Sequence, residues 1–156
     1  MRGDQTIIDA LNEVLTLELT AINQYFIHSR MLGNLGLKKL EKYVYDESIG
    51  EMKHADKLIK RVLFLDGTPE IARYNPIRVG KDTQTMFKND LASEMAGVAM
   101  LNKHIALCLA QNDGGSRELL EAILLDSEEH VDWLETQLTA IDQVGLQNYL
   151  AQHIHE

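Results

Sequence analysis

Apolar residues return every three or four positions through most of this chain, the spacing that lays a stripe along one side of an α-helix. Four such stretches stand out, at about residues 5–33, 39–66, 83–111 and 117–144. The first carries Leu11, Leu15, Ile22 and Tyr25, and the second Val44, Leu58 and Leu65. The third carries Phe87, Leu91, Val98 and Leu101, and the fourth Ile123, Leu134, Leu138 and Ile141. Both prolines, Pro69 and Pro76, fall in GTPEIARYNPIRVGKD between the second and third stretches, so none of the four contains the strongest helix breaker. Asp82 and Ser116 are the expected N-caps of the third and fourth helices, residues 112–115 make a break, and Gly145 ends the fourth. In LQNYLAQHI, Leu146, Tyr149, Leu150 and Ile154 share a side, which predicts one short docking helix.

Link lengths set the topology, because short links join antiparallel neighbours and a link as long as a helix lets the chain return to its starting end. Residues 67–82 can span about 50 Å at roughly 3.3 Å each. A helix of about 27 residues is about 40 Å long. The middle link therefore reaches across the whole bundle. Two short-linked hairpins joined by one full-length crossover predict an all-α, ferritin-like four-helix bundle with a short fifth helix.

Each predicted helix places polar groups on its apolar stripe. Glu18 sits among Leu11, Leu15, Ile22 and Tyr25 where another leucine belongs, and Glu51 falls midway between Val44 and Leu58. His54 lies one turn after Glu51 on the same side. Glu94 interrupts the third stripe, and Ser127 and His130 interrupt the fourth. Glu18, Glu51, Glu94 and His130 all lie near mid-helix, so three carboxylates and two imidazoles converge at one level of an apolar interior. An unpaired buried charge costs several kcal/mol. No lysine or arginine occupies these stripes at that level. A divalent metal is the expected partner, and carboxylate with imidazole suits iron, manganese or zinc.

Composition narrows the setting. The chain has 156 residues, 45% hydrophobic and 25% charged, the balance of a soluble globular domain. No apolar run reaches the roughly 18 residues of a membrane span. MRGDQTIIDALNEV lacks the apolar block and cleavage site of an export signal, which gives the cytoplasm as the expected location. Cys108 is the only cysteine and lies in the apolar run HIALCLA, as a buried thiol in a reducing compartment would. A net charge of -9 disfavours nucleic acid and permits cation binding. His153 and His155, near the C-terminus, are assigned no role.

The chain resembles the bacterioferritins over essentially its whole length, residues 1–156 forming one ferritin-like domain. The resemblance is carried by MRGD, LNEVLTLELTAINQYFIHSRM, SIGEMKHADKLIKRVLFLDGTP, EEHVDWLETQL and GLQNYL. It implies iron storage in a shell of twenty-four subunits that oxidises Fe(II) inside each bundle and holds a ferric mineral in its cavity. It also implies b-type haem at a two-fold interface and a small ferredoxin as electron donor. Met52 matches the haem axial ligand, one sulfur coming from each subunit. That residue lies about 100° around the helix from Glu51, on a second apolar side with Tyr45, Ile49, Ile59 and Leu63. The first helix is expected to share this interface through Leu19, Asn23 and Phe26.

By the same resemblance, Glu18 and His54 match ligands of one iron, Glu94 and His130 match ligands of the other, and Glu51 matches a carboxylate bridging both. Tyr25 matches a residue that donates an electron during oxidation. The family has a second bridging carboxylate where this chain has Ser127. Glu128 is turned about 100° from the needed direction, while Asp126, four residues before His130, is a possible substitute ligand on a shorter arm. Asp46 and Gly50 also stand where some members hold a histidine and an aspartate that bind iron at the cavity wall. Glu18, Glu51 and Glu94 offer three negative charges against the four positive charges of two ferrous ions. A weaker second iron and slow or absent ferroxidation are expected. The shell is then either a homopolymer or one mixed with an intact second bacterioferritin subunit, in which this chain acts as a ferroxidase-deficient haem-binding structural subunit. A DNA-protecting miniferritin fits the charge and the intrabundle ligands less well, and a rubrerythrin-like redox protein would need a cysteine-rich iron domain.

Overall fold

The computed structural model describes residues 1–155. The helices are α1 Gln5–Asn34, α2 Lys38–Phe64, α3 Thr83–Ala110, α4 Gly114–Val144 and α5 Leu146–Ala151. α1 packs along α2 and α3 along α4, and the two hairpins meet through α1 with α3 and α2 with α4. The open end of the first hairpin is tied by the Gly3 N–H, which donates to the Leu65 carbonyl at 3.0 Å. No helix among the described residues is long and apolar enough to cross a membrane.

Local chemistry sets the helix ends. Asp4 and Asp82 cap α1 and α3 by accepting from the Thr6 and Thr85 N–H groups, each at 2.8 Å. The expected cap of the fourth helix, Ser116, is corrected to Asp113, and α4 begins at Gly114, three residues before the expected Arg117. The reason is a polar knot. Asp113 accepts from Ser116 N at 3.0 Å and Ser116 Oγ at 2.8 Å, while Arg61 donates to Asp113 at 2.8 Å and to Ser116 Oγ at 3.0 Å. Gly115 makes this approach possible, since a Cβ there would lie 2.6 Å from the Arg61 guanidinium. At the C-terminal ends, Gly36, Asp66 and Asn112 all take left-handed backbone, with φ of 83°, 61° and 57°. Each lets the following N–H reach back to the carbonyl of Leu32, Val62 or Cys108 and close its helix.

A ladder of polar residues on α1 holds the crossover. Asn12 donates to the Thr68 carbonyl at 3.0 Å and accepts from the Glu70 N–H at 2.9 Å. Thr16, Thr20, Gln24 and His28, each one turn further on, accept from Arg73 Nε, Asn75 N, Arg78 N and Gly80 N. Five residues at i+4 spacing thus satisfy a segment that has no regular structure of its own.

The fully buried apolar residues fall into two clusters, one containing Leu11, Leu15, Leu58, Leu101 and Ile123, the other Tyr25, Val44, Phe87, Leu134 and Ile141. On every long helix the change from one cluster to the other brackets a polar residue: Glu18 on α1, Glu51 on α2, Glu94 on α3, Ser127 and His130 on α4. α5 docks on the second cluster through buried Tyr149, whose hydroxyl donates to Gln137 at 2.7 Å. The expected four-residue docking side shortens to Tyr149 and Leu150. Ile154 lies beyond the helix, which stops at Ala151, and is exposed, and Leu146 at its start is exposed too.

Candidate metal centre

Glu18, Glu51, Glu94, Ser127, His54 and His130 are all buried between the two apolar clusters. One ligand atom each from Glu18, Glu51 and His54 lies within 4.8 Å of the others. His54 Nδ1 is 3.4 Å from Glu18 Oε2 and 3.3 Å from Glu51 Oε2. A second group of the same size joins Glu47, Glu51 and His130. In it, His130 Nδ1 lies 3.5 Å from Glu47 Oε2, and it is also 3.1 Å from Glu94 Oε1. Glu51 belongs to both groups, the position of a carboxylate that two cations can share. The structure thus brings together the five residues singled out by their places on the helical stripes.

Burial and the close approach of like charges set the protonation of these groups. Burial raises the Glu18 carboxyl to about 7, against the pull of His54. Burial lowers His54, but Glu18 and Asp126 outweigh it and raise the ring to about 9. His130 is raised too, burial again opposing and Glu94 and Glu47 prevailing. Glu18 Oε2 is buried and makes no hydrogen bond. Raised acids and imidazoles hold protons that a divalent ion binding there would displace.

Other contacts assign geometry to the remaining candidates. Tyr25 is fully buried, donates a hydrogen bond to Glu94 Oε1, and sets its ring edge-on to His130 at 5.1 Å. Asp126 approaches the outer nitrogen of His54, Nε2, at 2.7 Å with its own side chain exposed. That is a position for orienting the ring rather than for bridging at His130. Glu47, which the stripes do not single out, enters from α2 one turn before Glu51. A second buried polar group, Asp90 with Gln24 and His28, also lay outside the sequence reading. Asp90 accepts from Gln24 Nε2 at 2.8 Å and from His28 Nδ1 at 2.9 Å. Its signal was position, since Asp90 precedes Glu94 by one turn on the same stripe.

Met52 lies on the second apolar side of α2, about 100° around from Glu51, and is 51% exposed. Phe26, whose ring lies 6.4 Å from that of Tyr45, is exposed, and Tyr45, Ile49, Ile59 and Leu19 are only partly covered. Arg30 lies over the Phe26 and Tyr45 rings at 5.2 and 5.0 Å, Leu19 and Ile59 lean on the first apolar cluster, and the rest of this face of α1 and α2 is open to solvent. A soft thioether on an apolar surface fits a haem iron and its porphyrin.

Residues 8–144 match the Ferritin-like domain family, the class that a four-helix bundle with a long crossover and a central carboxylate–histidine cluster defines. Among similar proteins, the bacterioferritin of Mycobacterium leprae is 45% identical over 152 residues, covering 97% of this chain and 96% of that protein. The bacterioferritin of Streptomyces coelicolor is 44% identical over 156 residues, covering 100% and 93%. The bacterial ferritin of Synechocystis sp. is 45% identical over 151 residues, covering 96% and 97%. The chain belongs to the bacterioferritin family. Iron storage and assembly into a multi-subunit shell are what that membership carries.

Proposed function

We propose that the chain takes up Fe(II) as substrate at the centre between the two apolar clusters, oxidises it slowly, and passes Fe(III) to a mineral inside a twenty-four-subunit cytoplasmic shell. The observation that carries this reading is the meeting of Glu18, Glu51, Glu94, His54 and His130 at one buried level. Glu18 and His54 hold the first Fe(II), Glu51 faces both positions, and Glu94 with His130 holds the second. Binding releases the protons that Glu18 and His54 retain, which leaves the donors anionic or neutral as a hard divalent cation requires. On oxidation each Fe(II) gives up one electron to dioxygen. Where only one Fe(II) is bound, Tyr25 would supply the second of the two electrons that take dioxygen to hydrogen peroxide, passing its phenolic proton to Glu94 Oε1 as the ring is oxidised to the radical.

Ser127 supports a second reading, in which the subunit is deficient in oxidation and serves as the haem-bearing partner in a shell mixed with an intact bacterioferritin subunit. A serine hydroxyl cannot replace the charge of a bridging carboxylate. In both readings Met52 would hold a b-type haem at the two-fold interface, and Leu19, Phe26, Tyr45 and Ile49 would keep water from it. When bound, the haem supplies one-electron transfer from a small ferredoxin toward the mineral. Anaerobic Fe(II) titration of the purified homopolymer, followed by an oxygen pulse, tests the pair. One tight and one weaker Fe(II) per subunit with slow oxygen uptake is the expected result. Two equally tight ions with fast uptake would remove the case for impairment, and no binding at all would remove the centre. Co-purification with a similar chain, seen in the intact mass, would favour the mixed shell.

A further inference from the structure

We infer that Glu47 is a ligand of the second metal position and supplies there the carboxylate that Ser127 does not. The inference rests on the metal-centre reading above. Ser127 is buried three residues before His130 and offers only a neutral hydroxyl. Glu47 reaches the same ring from α2, with Oε2 at 3.5 Å from His130 Nδ1. Being one turn from Glu51, it presents its carboxylate on the same side of the helix. One oxygen of Glu47, one of Glu51 and a nitrogen of His130 lie within 4.8 Å of one another, as do the donors of Glu18, Glu51 and His54. Donors bound to one cation at about 2.0–2.2 Å stand about 3–4.4 Å apart, so small side-chain movements bring either group onto an ion.

Two further observations point the same way. Glu47, Glu51, His54, His130 and Asp126 line a cleft of about 180 Å³, and Gly50 forms part of its wall. A Cβ at Gly50 would meet nothing within 4 Å. Packing therefore does not require glycine there, and the cleft is open on the Gly50 side. Charge also balances. Glu18, Glu47, Glu51 and Glu94 bring four negative charges to two divalent cations. Glu47 remains partly exposed, with 27% of its side chain reached by solvent, so it holds its ion less firmly than a buried bridging carboxylate would.

Co(II) titration of the intact metal-free shell, read by visible absorption, tests this without turnover. Wild type is expected to bind two Co(II) per subunit, the second more weakly. Glu47→Gln is expected to weaken the second equivalent by at least about tenfold and leave the first unchanged. Adding Ser127→Glu to Glu47→Gln is expected to restore the second equivalent, which separates loss of a ligand from loss of fold. Unchanged binding of both equivalents in Glu47→Gln, or a double variant still held to one, would overturn the role of Glu47. Absence of Co(II) binding in both wild type and Ser127→Glu would instead overturn the metal centre itself.

Discussion

Asp126 Oδ2 lies 2.7 Å from Nε2 of His54, which turns the ring's other nitrogen, Nδ1, toward Glu18 and Glu51. A carboxylate on the far nitrogen fixes the tautomer and strengthens the near nitrogen as a donor. Asp126→Ala is therefore expected to weaken the first metal equivalent about 10–100-fold while two equivalents still bind. Metal titration of the variant shell checks this. Loss of the second equivalent instead would mean that Asp126 acts at His130 as a bridging ligand.

Metal affinity should rise with pH, and the sign follows from the proton inventory. Glu18 holds a proton below about 7 and His54 below about 9, and neither ligates while protonated. Below pH 7 the first cation must displace two protons, so affinity climbs by up to about 100-fold per pH unit. Between 7 and 9 it displaces only the His54 proton, and the slope falls to about tenfold per unit. Zn(II) binding measured by calorimetry in several buffers would show the released protons directly. A flat profile from pH 6 to 8 would contradict the raised groups.

Met52→Leu should lose haem and keep everything else. The side chain is half exposed and contributes nothing to either apolar cluster, so leucine leaves the bundle intact. The expected outcome is an assembled shell with normal helicity and no reduced-haem absorption. Retained haem in the variant would move the ligand elsewhere.

Asp90→Ala should destabilise the fold without touching metal binding. The change strips two buried donors, Gln24 Nε2 and His28 Nδ1, of a shared acceptor. Gln24 keeps a long contact to Ser93 Oγ at 3.4 Å, while His28 Nδ1 is left unpaired at a cost of about 1–3 kcal/mol. His28 also accepts from the Gly80 N–H, so the loss loosens the end of the crossover. A lower thermal midpoint with unchanged Co(II) stoichiometry is the expected pair of results.

The central cluster was legible because a seven-residue recurrence of leucine and valine makes a lone Glu conspicuous, and mid-helix positions must meet in a bundle. Glu47 escaped because it sits on the flank of the α2 stripe, where a half-exposed acid looks like any surface residue. The Asn12, Thr16, Thr20, Gln24, His28 ladder is regular in sequence, but its partners lie more than fifty residues away in a segment with no period, so nothing local announces the pairing. Ser116 and Asp113 are both good caps within four residues. The choice between them depended on Arg61 arriving from another helix.

Ser127→Glu should reverse its effect on stability with metal. The side chain is buried, and a cavity of about 260 Å³ bordered by Glu18, Glu51, Glu94 and Ser127 leaves room for a longer arm. Without a cation, a further carboxylate is added to a site where burial already holds Glu18 up at about 7, and like charges in a dry interior repel. The metal-free variant is therefore expected to unfold at a lower temperature than wild type. With two divalent ions bound, the same carboxylate faces cations and completes their neutralisation, so the loaded variant should unfold at a higher temperature than loaded wild type. Thermal unfolding in chelator and in excess Zn(II) gives both signs from one preparation. Stabilisation in both conditions would mean that the new side chain turns away from the centre, and destabilisation in both would mean that no cation binds beside it.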